Sequence, residues 1–290
     1  MAPIIIAENF GYAYPPPPGF EKRWVLNGVN LQIEAGEFVS IMGPTGVGKT
    51  TLCLALNGIV PQSTGGSVRG DMLVDGMNTK RTLVPDLART VGLVFQEPET
   101  QLFNMSVEAE VAFGLEGLGM DPAEINERIG WALSVVGMSE FRNRSPFHLS
   151  AGQKQRTAIA AILAMTPRIL VLDEPTASLD PLGKTEVFRV VRELRQRQGM
   201  TIIMVSQESE HIAEFSDRVI VLHKGRVELE GRPQDIFSQV QTMQNLGLSI
   251  PQVSELGQCL NAELGTDYRF TDPDDAYEIL IQAADENPSR

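Results

Sequence analysis

GPTGVGKTT, residues 43 to 51, restricts what this chain can become more than any other nine residues in it. The pattern G-x-x-x-x-G-K-[ST] runs through Gly43, Pro44, Thr45, Gly46, Val47, Gly48, Lys49 and Thr50, with Thr51 behind it. It stands between a continuous apolar run, FVSIMG at 38–43, and a helical pattern, so it reads as a strand, a turn and a helix start. Backbone amides in such a turn have to converge on one phosphate cluster, which demands small side chains and unusual dihedrals. The helix start adds partial positive charge, Lys49 neutralises the β and γ phosphates, and the Thr50 hydroxyl is placed to ligate Mg²⁺.

The remaining apolar runs have the same character. TVGLVF (90–95), RILVLDE (168–174), TIIMVS (201–206) and RVIVLHKGRV (218–227) read as buried parallel strands. Helical patterns lie between several of them, for instance Glu186 to Gln198, where Val187, Val190, Val191 and Leu194 form one stripe. Alternation of this kind predicts an α/β fold with helices on both faces of a parallel sheet. Two further strands, IIIA at 4–7 and WVLNGVNLQI at 24–33, flank the proline run at 15–18, which has to be a loop. RILVLDE delivers Asp173 and Glu174 at the carboxyl end of its strand, where open α/β sheets place ligands. Asp173 is expected to hold Mg²⁺, directly or through water, and Glu174 to polarise an attacking water as general base. Adjacent carboxylates also suit a solvated strand end, but beside a phosphate loop the catalytic reading is preferred.

Charge excludes one class of function. A formal charge of −13 argues against sequence-independent nucleic-acid binding, which needs a basic surface. Nine acidic and two basic residues fall within 255–290, about half of that net charge. The longest apolar stretch, AIAAILAM at 158–165, is too short to span a bilayer, and MAPIIIAENF lacks the basic head and apolar segment of a secretory signal. Cys53 and Cys259 form no metal-spacing pattern; Cys53 reads as a packing residue. After GRP at 231–233 the pattern changes: DIFSQVQTMQNLGL predicts a short amphipathic helix and the rest either a small packed appendage, the preferred reading, or a floppy acidic tail. Leu256, Leu260, Leu264, Tyr277, Ile279 and Leu280 are expected to pack most of it against something.

LSAGQKQR at 149–156 resembles the LSGGQ signature of the ATP-binding cassette (ABC) family, and it lies upstream of Asp173 and Glu174 as that family requires. Gln96 in FQEPETQLF matches the loop glutamine, which joins Thr50 and Asp173 around the metal. Ser178 to Asp180 matches the dimer-contact loop, and Tyr14 the aromatic that stacks on adenine. The resemblance implies a P-loop NTPase of ABC type over residues 1–231: a mostly parallel core sheet, antiparallel N-terminal strands and a helical subdomain at about 99–165. Residues 232–290 form an α-rich extension. It also implies a head-to-tail dimer in which Ser150, Ala151, Gly152 and Gln153 close on the γ phosphate held by the other subunit. Ala151 departs from the family's glycine, a change tolerable if the residue has a negative φ. Ungapped matching puts Gln207 where the family has a histidine that contacts the γ phosphate. Glutamine donates and accepts hydrogen bonds but carries no proton or charge, which predicts a slow or partner-dependent ATPase. His211, one helical turn later, is either a substitute or, the preferred reading, an exposed helix residue.

FQEPETQLFNMSVEAEVAFGLE (95–116) and the segment from GRPQDIFSQ onward are similar to the ATPases of energy-coupling factor (ECF) transporters, which take up vitamins and transition-metal ions. That similarity implies a peripheral protein on the cytoplasmic face of the cell membrane. Its partners would be a second ABC ATPase, a transmembrane coupling subunit and a substrate-binding membrane subunit, with no nucleic acid. A heterodimer is favoured and a homodimer possible. Phe103 and Met105 either line the groove for the coupling subunit or pack the helical subdomain. The alternatives are an ATPase of another importer type and a soluble ABC ATPase; for the latter, neither a long coiled coil nor a second cassette is visible.

Overall fold

Among residues 3–286, which the computed structural model describes, the strands divide into two sheets. β1 (Pro3–Ala13), β2 (Leu26–Glu34), β4 (Ser67–Val74) and β5 (Met77–Asn78) form an antiparallel sheet in the order β2-β1-β4-β5. The other contains β3 (Phe38–Met42), β6 (Val91–Val94), β7 (Ile169–Asp173), β8 (Thr201–Val205), β9 (Arg218–His223) and β10 (Arg226–Gly231), in the order β10-β9-β3-β8-β7-β6. Its inner pairs are parallel, so the carboxyl ends of β3, β7 and β8 emerge side by side.

Every residue of β3, β7 and β8 is buried, as continuous apolar runs covered on both faces have to be. The pleat then sorts alternate residues into two cores. Phe38 and Met42 of β3, with Ile202 and Met204 of β8, face the helices Ala151–Ala164 and Pro181–Gln198. Val39 and Ile41, with Ile203 and Val205, face the antiparallel sheet and the helix Lys49–Leu56. The expected stripe of Val187, Val190, Val191 and Leu194 is buried in the first core, with Phe188 beside it.

Three expectations change. RVIVLHKGRV is a hairpin rather than one strand: Lys224 (φ 48°) and Gly225 (φ 74°) turn the chain, and β10 runs antiparallel to β9. DIFSQVQTMQNLGL gives two helices, Pro233–Phe237 and Val240–Asn245, broken at Ser238 and Gln239. In the extension, Leu256, Leu264, Tyr277 and Ile279 are exposed, and Leu260 and Leu280 only partly covered. The reason is that the helix Gln252–Leu264 packs through its small residues instead. Ser254 and Gly257 are buried, and a Cβ on Gly257 would lie 3.2 Å from the Phe270 ring. Leu248 and Ile250 anchor the start of the extension in the first core.

The helical subdomain comprises Val107–Gly117, Pro122–Val135 and Ala151–Ala164. Ser106 and Asp121 cap the first two, accepting from Ala109 N at 3.1 Å and Ala123 N at 2.8 Å. Cys53 is buried behind the phosphate loop and Cys259 exposed. Among the described residues no helix is long and apolar enough to cross a membrane.

Candidate nucleotide site

The cleft opens where β3, β7 and β8 end. It is lined by Val25, Thr45, Gly46, Gly48, Lys49, Thr50, Thr51, Gln96, Glu174 and Gln207, and has a volume of about 320 Å³. Gly48 precedes the first helical residue with φ 109°, and an added Cβ there would meet Leu26 Cδ2 at 2.9 Å. Only glycine combines that dihedral with that approach. No side chain caps the helix Lys49–Leu56, so the amides of its first turn face the cleft with their partial positive charge. Lys49 is buried, and its ammonium donates to the Gly43 carbonyl at 2.8 Å and the Pro44 carbonyl at 3.3 Å. Glu174 Oε1 lies 3.7 Å from the same nitrogen. The loop thus holds one desolvated positive charge and a row of donors, which is an anion site.

Opposite stand the two carboxylates. Asp173 is 2% exposed, and its Oδ1 is buried without a hydrogen-bond partner. Burial is the main cause that raises its pKa; the Thr50 hydroxyl and the Lys49 charge oppose the rise, and Glu174 adds to it. Glu174 has φ 46°, an uncommon backbone for a residue with a side chain, held by its amide bond to the Val205 carbonyl at 3.0 Å. Its carboxylate reaches into the cleft and accepts from Gln207 Nε2 at 3.2 Å. Residues from the ends of three strands therefore converge on one volume, the arrangement that the sequence motifs anticipate.

Other expected site residues lie around this centre. Tyr14 sits edge-on to Tyr12, 4.8 Å between ring centroids, and its hydroxyl lies 3.2 Å from Thr51 Oγ1. That places an aromatic ring beside the phosphate loop. Ser150 and Gln153 do not line the cleft; they close a capping box at the start of the helix Ala151–Ala164. Ser150 Oγ accepts from Gln153 N at 3.3 Å, and Gln153 Oε1 accepts from Ser150 N at 2.9 Å. The helix begins at Ala151, which is absent from the positive-φ residues, so its methyl group is accommodated without strain. Ser178 is exposed, and Asp180 caps the helix Pro181–Gln198 through Gly183 N at 2.7 Å. A Cβ on Gly152 would stand 3.3 Å from the Cα of Gly183, so these two helices touch backbone to backbone. His211 does not line the cleft: its ring lies tilted by 38° against Phe188, 3.8 Å between centroids, with Glu208 and Glu214 each 3.7 Å away. Phe103 and Met105 are 58% and 79% exposed, so neither is buried in the helical subdomain, although Phe103 meets Phe113 of that subdomain edge-on.

Sequence reasoning missed several residues that hold the site. Glu208 Oε1 accepts from Thr176 at 3.2 Å and from Lys184 at 2.6 Å, tying the turn that carries Gln207 to the start of the preceding helix, Pro181–Gln198. Ser206 Oγ accepts from Glu208 N at 3.1 Å, a local bond that the S-x-E spacing could have suggested. Glu110 is buried, and its Oε2 accepts from the amides of Phe103 and Asn104 at 3.0 and 2.7 Å, fixing the segment after Gln96. Val25 lines the cleft although no motif contains it.

Comparison with known proteins gives the same picture. The family described as ABC transporter matches residues 26–177. The energy-coupling factor transporter ATP-binding protein EcfA2 of Clostridium perfringens is 42% identical over 253 residues, covering 86% of this chain and 87% of that protein. The solved structure of cbiO1 from Clostridium perfringens, described as part of the ABC transporter complex cbiONQ, superposes with a TM-score of 0.72 at 33% identity. It covers 89% of this chain and 100% of that one. A dimeric post-hydrolysis structure of the ATP-binding cassette MJ0796 bound to ADP and Pi gives 0.69 at 28% identity, covering 79% of this chain and 98% of that one.

Proposed function

This chain belongs to the ABC transporter family and is one of its ATPases, and from that premise we propose that it energises uptake of a vitamin or a transition-metal ion through an ECF-type membrane transporter. The similarity to EcfA2 over most of both chains carries this reading. The transported substrate would never meet this subunit, whose part is to bind ATP, close against a second ATPase, hydrolyse and open.

Each step has its residues here. The amides of residues 45–50, with Lys49, bind the β and γ phosphates, and Tyr14 stacks on adenine. Mg²⁺ fits the donors present: Asp173 has a buried oxygen without a partner, the Thr50 hydroxyl bonds the same carboxylate, and Gln96 faces the cleft. Bound with ATP, Mg²⁺ would neutralise charge developing on the phosphates. Glu174 then accepts the proton of the attacking water, and Gln207, already bonded to Glu174, donates to the γ phosphate. In the dimer, Ser150 and the first amides after it reach the other subunit's γ phosphate, and Ser178 and Asp180 lie along the seam. Gln207 donates one neutral hydrogen bond where a histidine would add charge, so this composite site turns over slowly. A second ATPase carrying a histidine makes the two sites unequal, which favours a heterodimer.

The exposed Phe103 and Met105, with Phe113 edge-on to Phe103 at 4.9 Å, supply an apolar tip suited to a membrane subunit's coupling helices. The exposed Leu256, Leu264 and Tyr277 suit contact between the two ATPases. The test is to recover the tagged chain from native membranes and identify what accompanies it. Co-purification of a transmembrane subunit and a second ATPase, lost in a Phe103→Asp, Met105→Asp variant, is expected. Recovery with a ribosome or nucleic acid and no membrane protein would refute the transport reading.

A further inference from the structure

The turn that carries Gln207 is held from three sides. Its side chain meets Glu174, and the neighbouring Glu208 is bonded to Thr176 and Lys184 near the dimer loop. The third hold comes from the extension: Ser249 Oγ donates to the main-chain carbonyl of Gln207 at 3.2 Å, across 42 residues of sequence. Ser249 does not reach there by chance of surface drift. It lies between Leu248 and Ile250, 7% and 6% exposed, which share a core with Ile212 and Phe215 of the helix just after the turn. Two buried anchors thus present one hydroxyl to the backbone of one cleft residue.

We propose that Ser249 is a positioning residue for ATP hydrolysis, through which the C-terminal extension fixes the main chain of Gln207 and so aims its side-chain amide at Glu174 and the γ phosphate. The inference rests on the reading of Gln207 given above and adds a route to it. A side chain whose carbonyl is tethered has one less backbone rotation with which to swing out of reach, and a near-attack geometry loses rate steeply when its donors wander. Displacement of the extension by a neighbouring subunit would release the tether and slow hydrolysis without touching the phosphate loop.

The experiment is a double-mutant cycle on ATP turnover by the full-length chain with the subunits that co-purify with it. Ser249→Ala is expected to lower kcat by about three- to tenfold, the size of one modest hydrogen bond, with KM for ATP unchanged within about twofold. Ser249→Thr, which keeps the hydroxyl, restores turnover. In a Gln207→Ala background, Ser249→Ala causes no further loss, because the two act as one unit. Equal losses in both backgrounds, no loss at all, or failure of threonine to restore turnover would each overturn the proposal while leaving the role of Gln207 intact. If Gln207→Ala itself turns over like the wild type, the reading of Gln207 falls, and the tether falls with it.

Discussion

Two helix starts in this molecule, both assigned contact with phosphate under the proposed function, are finished differently. The helix Lys49–Leu56 begins after a left-handed glycine and has no side-chain cap, so its first amides are left for a ligand. The helix Ala151–Ala164 begins with a closed capping box in which Ser150 and Gln153 satisfy each other's backbone amides. An uncapped start is unstable by itself and gains most when an anion arrives; a capped one is complete and has to exchange internal bonds for external ones. The first is therefore ready for nucleotide in the isolated chain. The second is complete as it stands, and under the proposed function it would open its capping box only when a neighbouring subunit presents a γ phosphate.

The sharpest way to break this contrast is at the uncapped start. Lys49→Ala removes a buried charge that the loop is folded around, and Mg·ATP affinity should fall on the order of 100-fold, measured by equilibrium binding. Glu174→Gln should leave binding intact and lower single-turnover hydrolysis by about 10²- to 10³-fold, with ATP-bound dimers accumulating in size-exclusion chromatography. At the capped start, Ser150→Ala removes a cap of about 1 kcal/mol and the trans donor together. Hydrolysis should then drop by about tenfold while monomer affinity for ATP is unchanged; a loss of monomer affinity would mean that the two starts serve one site in one chain. Gln207→His should raise single-turnover hydrolysis several-fold, and no acceleration would show that the glutamine does not limit the rate. Ala151→Gly should have the smallest effect, under about twofold on hydrolysis, because the methyl group is exposed and its residue has no positive φ.

The same contrast explains what the sequence could reveal. The uncapped start was legible because its physics is local: glycines, a lysine and a threonine at fixed spacing behind a strand prescribe the turn by themselves. Asp173 and Glu174 were legible for the same reason, as the polar end of a buried run. The tie from Ser249 to Gln207 was not, since it depends on how the extension folds back, and nothing in SIP marks its serine. Leu256, Leu264 and Tyr277 misled for a related reason. Apolar residues at helical spacing announce a face to be covered, but not whether this chain or another covers it. The hairpin at Lys224 and Gly225 was hidden by the apolar run before the turn, although lysine followed by glycine, and the alternation of RVELEG after it, are usable signals.

The contact between Gly152 and Gly183 carries a mechanical consequence. Helices packed through large side chains have between them a cushion that can change rotamer and absorb a small push. At Gly152 and Gly183 that cushion is absent, so a shift of one helix is expected to carry the other with it. In the pair proposed above, the helix that begins after Ser150 and the helix that begins after Asp180 would then shift together, keeping the two halves in step.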